Sequence, residues 1–447
     1  MRFPIACLLL LCFVSTGYAQ FTPPRILRHP TQIRVERLDI LNTLFRETNL
    51  NITPDGKYLY FMSGRGGQTW SNPNPASYNG KIEYDGDIWY SQKNGQQWGF
   101  PQCLGENVNT GDGEDEPNIS PDGQMVTFQS WGRPWQQTAG PYYQSKLVAN
   151  NWGQAKGLGG GINSFFVDRE QNHNNTNPLG VNDYATDGVT LSADGKTFIV
   201  AVGEYDGNMD LYISRKNAYG QWSYLKRLAV NTLGDERNPF LAADGKTLYF
   251  GSDGYGGWGG LDIFKTVLDD NDNHGEIINI GSPFNTYLDD YGFILTASGN
   301  EAYFVREGDI YFANTKDALS DMKPNSSTLM LAGKVTNSKT GKPMGATIKI
   351  IDARSKAILA QASSNAYTGE YGIVLPISAT KFLQEVTQKD FENDAQTFQV
   401  EIKTGLNQVN AKVALKPIEA APPVVVVVVP PKKIEAQAGG REKDGLR

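Results

Sequence analysis

The chain has 447 residues, 39 % hydrophobic and 20 % charged, with a net charge of −7 and a pI near 5.2. That length allows two or three domains, and the absence of a basic patch argues against nucleic acid or an anionic membrane surface as a partner. Gly (48 residues) and aromatics (11 %) are frequent, which suits many short strands joined by tight turns.

Residues 1–19 read as a secretory signal: Met1-Arg2, an apolar run from Ile5 to Val14, then Gly17-Tyr18-Ala19 before the expected cut. The run is too short to span a bilayer. Lipidation at Cys12 is disfavoured because Leu11 is large for the residue before a lipidated cysteine. Cys7 and Cys12 leave with the signal, so Cys103 remains alone, and neither an internal disulfide nor a cysteine metal site is expected.

From about residue 33 to 320 one pattern recurs five times. An Asn-Thr or Asn-Ser pair precedes acidic residues, a strand, a Gly turn and a second strand. The pairs are Asn42-Thr43, Asn109-Thr110, Asn163-Ser164, Asn231-Thr232 and Asn285-Thr286. The turns are Pro54-Asp55-Gly56, Pro121-Asp122-Gly123, Ala193-Asp194-Gly195, Ala243-Asp244-Gly245 and Ala297-Ser298-Gly299. Asp-Gly predicts a two-residue hairpin with positive φ at both central positions.

A third strand starts at Asp87, Asp210, Asp262 and Asp309, with Tyr142-Tyr143 standing in the second unit, and Trp98, Trp152 and Trp222 open a fourth. Unequal unit lengths place loops at Gly64 to Gly86 and at Phe165 to Asp183. A β-unit repeated five times predicts a five-bladed β-propeller. The fifth unit has no fourth strand of its own, so residues 33–41 are expected to complete the last blade and hide two sheet edges.

Alternating strands between residues 329 and 416 predict a small β-sandwich. The fold class is therefore all-β. Residues 417–447 read as an extended Pro/Val linker and a polar tail without core-forming pattern.

The repeat Glu114-x-x-Pro117-x-x-x-Pro121-Asp122-Gly123, an aromatic strand, then Asp-Ile-Tyr, resembles the WD40-like repeat of TolB-type periplasmic propellers. Leu331-x-Gly333-x-Val335, Lys342-Pro343 and Gly369-x-Tyr371 resemble the carboxypeptidase regulatory-like, transthyretin-like sandwich, from which Lys381 to Asp394 departs. A propeller, this sandwich and a Pro-rich linker together are similar to OmpA-family envelope proteins, some of the type IX secretion and gliding machinery. The resemblance implies an exported protein, periplasmic or associated with the outer membrane, with envelope proteins as partners. Peptidoglycan binding would need an OmpA-like domain past Arg447 and is carried onto no residue here.

Catalytic signatures are missing. His29, His173 and His274 have no metal-ligand spacing, and neither a Gly-x-Ser-x-Gly elbow nor a Walker loop occurs. Gly254 to Gly260 reads as a plain loop. Asp269 to Glu276 offers calcium-like spacing, but its Gly is displaced and Ile280 stands where a bidentate Glu belongs. No enzyme activity, cofactor or metal is expected.

At the same place in each repeat stand Glu47, Glu114, Thr186, Glu236 and Asp290. In a propeller these would ring the axis and line one mouth, where repelled carboxylates attract cations, water or a basic partner. The alternative is that each carboxylate caps its own blade. Trp70, Trp131, Trp135 and Trp258 fall outside the strand pattern and could mark a contact surface, as Trp is favoured at hot spots. The reading is a non-catalytic interaction platform. The rival is a glycan-binding or glycan-hydrolysing propeller, which needs two carboxylates in unlike environments.

Overall fold

The computed structural model describes residues 23–29, 33–69, 76–78, 81–176, 184–204, 207–377 and 379–419. The signal segment 1–19, Trp70 and the tail from 420 lie outside them. Among the described residues no helix is long and apolar enough to cross a membrane.

Five antiparallel sheets follow one another along the chain, and their first strands are Glu47–Ile52, Asp115–Ile119, Tyr184–Leu191, Glu236–Leu241 and Asp290–Leu295. Each first strand touches the first strand of the next sheet, and the fifth touches the first, so they close a ring. This is a propeller, and we number its sheets I to V. Aromatic and β-branched residues of the second strands (Phe61, Phe128, Phe198, Phe250, Phe304) are fully buried between neighbouring sheets.

The ring is stitched by the Asn-Thr pairs. Each Asn lies flat against the backbone of the outgoing sheet's third strand and makes two hydrogen bonds there. Asn109 accepts from Ile88 N at 2.9 Å and donates to Ile88 O at 3.1 Å. Asn231 does the same to Leu211 (2.7 and 2.9 Å), and Asn285 to Ile263 (2.8 and 2.9 Å). The neighbouring Thr caps the incoming sheet. Buried backbone groups at a sheet's end need such partners, and one dipeptide supplies both.

The same device joins the chain's two ends. Asn42 accepts from Ile310 N at 2.7 Å and donates to Ile310 O at 2.9 Å. Val35–Arg37 pairs antiparallel with Asp309–Asn314 as the fourth strand of sheet V. Arg37 chelates Asp309 at 3.0 and 3.2 Å, as Arg227 chelates Asp210 in sheet III at 2.6 Å. Upstream, Arg25–Ile26 adds a parallel fifth strand to sheet IV through Ile278–Asn279, which the sequence reading did not foresee.

Three local expectations need correction. Only Gly takes positive φ at the turns (Gly56 72°, Gly123 68°, Gly195 67°, Gly245 69°, Gly299 65°). The loop contains a four-residue β-turn, Thr53 to Gly56, closed by Gly56 N donating to Thr53 O at 2.8 Å, with Asp55 accepting from Thr53 Oγ1.

Next, Trp98 and Trp152 lie in two-residue pairings that then break. Ladder pairing resumes at Gln102–Cys103 and Lys156–Gly157. Trp222 makes only an isolated bridge to Lys216 before Lys226–Arg227. Ser91, Ser145 and Ser214 span the break by donating to the carbonyls of Gly99, Gly153 and Ser223.

Last, Asn163-Ser164 is not a junction pair, and the Phe165 to Asp183 stretch is not simply a loop. Gly160–Thr176 is a helix, α1, between sheets II and III. Ile162, Phe165 and Phe166 form its buried stripe at helical spacing.

Past sheet V, residues 316–327 dock on sheet IV. The ammonium of Lys265, itself buried, donates to Asp321 O (2.5 Å), Lys323 O (2.6 Å) and Asn325 Oδ1 (2.6 Å). Beyond it, Thr328–Asn337, Glu370–Pro376 and Leu406–Leu415 make one sheet. Thr347–Asp352, Ile358–Ser363, Lys381–Thr387 and Asp394–Gln399 make another, and the two share one apolar core. This C-terminal module sits against the propeller face that carries the Gly turns. Ser363 N donates to Asp122 at 3.0 Å, and Gly372 packs so close to Pro121 O that a Cβ would lie 2.9 Å from it.

Candidate functional site

The four repeated carboxylates do not line an open mouth. Glu47, Glu114, Glu236 and Asp290 are 0–1 % exposed. Glu47 accepts from Thr43 N (3.0 Å), Thr43 Oγ1 (2.6 Å) and Ser63 Oγ (2.8 Å). Glu114 accepts from Thr110 N and, at 2.8 Å each, from Thr110 Oγ1 and Ser130 Oγ. Glu236 repeats this with Thr232 and Ser252 (2.7 to 2.8 Å), and Asp290 with Thr286 (2.7 and 2.8 Å).

Arg65 and Arg306 pair with Glu47 and Asp290 at 3.1 and 2.5 Å, and Arg133 approaches Glu114 at 3.5 Å. Burial pushes the Asp290 carboxyl up to about 6 against these bonds, and raises Glu114 and Glu236 in the same direction. The expected acidic collar is thus a set of internal caps, because each carboxylate turns back onto donors of its own sheet. Thr186 shares the strand position without a carboxylate.

The axis is lined two residues further on. Asn49, Glu116, Gly188, Asn238 and Gly292 all take positive φ (51°, 56°, 100°, 46° and 60°) at a bulge in each first strand. The bulge turns polar side chains toward one another. Asn49 donates to Asp115 (2.8 Å), and Asn238 to Asn49 (2.8 Å) and Asp187 (3.0 Å). Arg237 bridges Asp187 (3.0 Å) and Asp235 (2.6 Å), and Arg46 holds Glu83 (2.5 Å).

Glu116, 2 % exposed, accepts from Tyr142 OH at 2.6 Å. Burial first, then the neighbouring Asp115 charge, hold its carboxyl well above the usual carboxylate range. Burial raises Asp115 too, with Arg46 and Asn49 opposing. The cavity lined by Asn49, Glu116, Gly188, Asn238 and Gly292 is about 10 Å³, space for one water. Among the described residues no three His, Cys, Asp or Glu side chains are placed to hold a metal.

Below this constriction the axis opens into a space of about 590 Å³, lined by first-strand residues of all five sheets (Ile52, Ile119, Leu191, Leu241, Leu295) and closed by Ile358 to Ser363 of the C-terminal module. The opposite face carries the junction turns and is free of that module. There the residue after three of the four Asn-Thr pairs stands out: Leu44, Leu233 and Tyr287 are each 80 % exposed or more, while Gly111 follows the fourth. The Thr–carboxylate cap fixes the turn beneath them, since Phe45 N, Gly234 N and Leu288 N all donate to the Thr hydroxyls.

Trp258 joins this arc. It is 48 % exposed, and its loop packs on the Tyr287-Leu288 backbone through Gly259. Trp131 is elsewhere, edge-on to Trp135 and Phe166 at 5.5 and 5.6 Å, and Trp135 is buried. The Asp269 loop closes on itself, with Asp269 accepting from Asn271 N, Asn273 N and Asn273 Nδ2. The burial that surrounds Cys103 lifts its thiol to about 12, so it is no nucleophile.

No family model matches the chain, and no curated relative does. Among solved structures it is similar to a putative TolB from Agrobacterium tumefaciens, at 15 % identity over 78 % of this chain and 100 % of that one, with a TM-score of 0.35. TolB from Acinetobacter baumannii shares 17 % identity over 62 % of this chain and 57 % of that one, at 0.32. An alpha-L-arabinofuranosidase from Lactobacillus brevis shares 11 % over 62 % and 93 %, at 0.35. At these scores the likeness carries no argument; the propeller stands on its own strand pairing.

Proposed function

We propose that the chain is a non-catalytic scaffold of the cell envelope. In this reading it is exported and works in the periplasm or at the outer membrane. A five-bladed TolB-type propeller binds a protein partner. A transthyretin-like module of the carboxypeptidase regulatory-like kind, as in OmpA-family envelope proteins, occupies the other face.

One observation carries this reading: the arc of Leu44, Leu233, Trp258 and Tyr287 on the face without the C-terminal module. Three of the four occupy one repeat position in sheets I, IV and V, which adjoin in the ring. Among the described residues, turns fixed by the Thr caps hold these large apolar side chains out with nothing over them. Burying such a side chain contributes about 1.5–3 kcal/mol, so three or four of them are enough to anchor a partner.

Against glycan hydrolysis stands the axis itself. Its raised carboxyl Glu116 faces a cavity of about 10 Å³, in which no sugar ring fits. The test is affinity capture from native envelopes with wild-type protein, a Leu44→Ser/Leu233→Ser/Tyr287→Ser variant and Glu116→Gln, beside hydrolysis of a polysaccharide panel. The proposal expects one partner, kept by Glu116→Gln and lost by the triple variant. Hydrolysis abolished by Glu116→Gln, or capture indifferent to the triple variant, overturns it.

A further inference from the structure

We propose that the cleft between the propeller and the C-terminal module is a binding site for a neutral oligosaccharide. It is an open space of about 970 Å³, at the upper end of the range for ligand sites. Sheets I and II form one wall, near the turns at Asp55 and Asp122. The module's Glu370–Pro376 and Thr328–Asn337 strands form the other.

Aromatic rings supply the apolar part of its surface. Tyr90 stacks on Tyr60 with centroids 5.7 Å apart and planes 24° from parallel, and Tyr58 lies against Tyr90 at 6.5 Å. Trp152 borders the same wall, and Tyr367, 68 % exposed, projects from the module's turn on the other side. A sugar ring has an apolar C–H face that lies on such rings and an equatorial rim of hydroxyls that needs hydrogen bonds. Tyr rings serve both, at low entropic cost.

The polar part is dominated by carboxamides. Gln92, Gln102, Gln124, Asn151, Asn365 and Asn410 are among the lining residues. Their amide donors and remaining lone pairs match hydroxyls, which both donate and accept, with Gln102 Oε1 already accepting from Tyr90 OH and Asn365 Oδ1 from Tyr367 N and Thr368 N. The ionic side chains cancel: Lys57, Lys334 and Lys412 against Asp55, Asp122 and Glu370. Lys57 lies between Asp55 (3.4 Å) and Glu370 (3.8 Å), so part of this charge is already paired. A site for an anion or a basic peptide would show an excess of one sign.

The chain's own Pro422 to Pro431 segment is the rival occupant, since aromatic grooves also take proline-rich peptides. Its run of valines would leave the remaining carboxamide donors facing apolar side chains. The oligosaccharide is therefore the better fit. This site lies on the opposite side of the ring from the apolar arc and stands or falls independently of the proposed function.

The experiment is isothermal titration of the full chain with chitohexaose, maltohexaose, cellohexaose and xylohexaose, and with a synthetic peptide of residues 420–431. Tyr367→Ala and Gln102→Ala are tested beside wild type, with Leu233→Ser as a control on the other face. Thermal melts verify that the variants fold; Tyr367 lies on an exposed turn, so its loss leaves the core intact. The expected result is binding of at least one hexasaccharide, weakened about tenfold or more by Tyr367→Ala, reduced by Gln102→Ala and unchanged by Leu233→Ser. No hexasaccharide binding, binding indifferent to Tyr367→Ala and Gln102→Ala, or binding of the peptide alone overturns it.

Discussion

Replacing Glu116 by Gln should make the protein more stable in alkali and leave it nearly unchanged in acid. Glu116 is buried at the axis, holds a left-handed backbone at φ 56° and accepts hydrogen bonds from Tyr142 OH, the Thr186 side chain and the Gly188 backbone. Its carboxyl is pushed from the ordinary 4.5 up to about 8, chiefly by burial and next by Asp115. A raised carboxyl binds its proton more tightly folded than unfolded. Its contribution is therefore least unfavourable below about pH 4.5 and grows more destabilising as pH rises toward 8. Each pH unit through which the folded carboxyl stays protonated beyond the unfolded one is worth about 1.4 kcal/mol, a cost Glu116 shares with Asp115 and that water reaching the axis lowers. Gln keeps the acceptor for Tyr142 and never ionises. Guanidinium unfolding at pH 5 and pH 9 should give similar midpoints at pH 5 and a variant more stable by a few kcal/mol at pH 9. Equal pH dependence in both proteins would refute the argument, because the axial carboxyl would then be solvated rather than buried.

Glu236→Ala should cost several kcal/mol in thermal unfolding, because Thr232 N, Thr232 Oγ1 and Ser252 Oγ lose their shared acceptor at about 1–3 kcal/mol each. Asn42→Ala removes both bonds to Ile310 and should destabilise by about 2 kcal/mol, with faster amide exchange at residues 35–42 and 309–313 than elsewhere. Asp122→Ala frees Ser363 N and should loosen the C-terminal module. That would appear as faster proteolysis within residues 316–327 with the propeller itself still protected.

Much of the ring was legible because its signals are local and repeated. Gly in each turn, aromatic second strands and the Asn-Thr pairs recur in register, and the Asn bonds explain why that residue type is used. The sequence left the repeated carboxylates open between a collar at one mouth and caps of their own blades, and the structure has the caps. Period places Glu47 and its equivalents near the axis but does not say which way the side chain turns. The available signal was the Thr four residues before each acid and, sixteen after it, a Ser in the three Glu units and Arg306 for Asp290, the donors that draw the carboxylate inward. The helix α1 was hidden because Asn163-Ser164 imitates a junction pair, while its buried stripe of Ile162, Phe165 and Phe166 is brief and set among Asn and Gly. The apolar arc needed three dimensions. Leu44, Leu233 and Tyr287 look like ordinary strand-flanking residues until the ring puts them on one exposed face.

The most direct test of the account is photo-crosslinking in intact cells, with benzoyl-phenylalanine placed singly at Leu233 or Tyr287 on the open face and at Lys196 on the turn face. The account predicts one and the same adduct from Leu233 and Tyr287, and none from Lys196. An adduct from Lys196 alone, or none from any position while the protein is folded and exported, would contradict it.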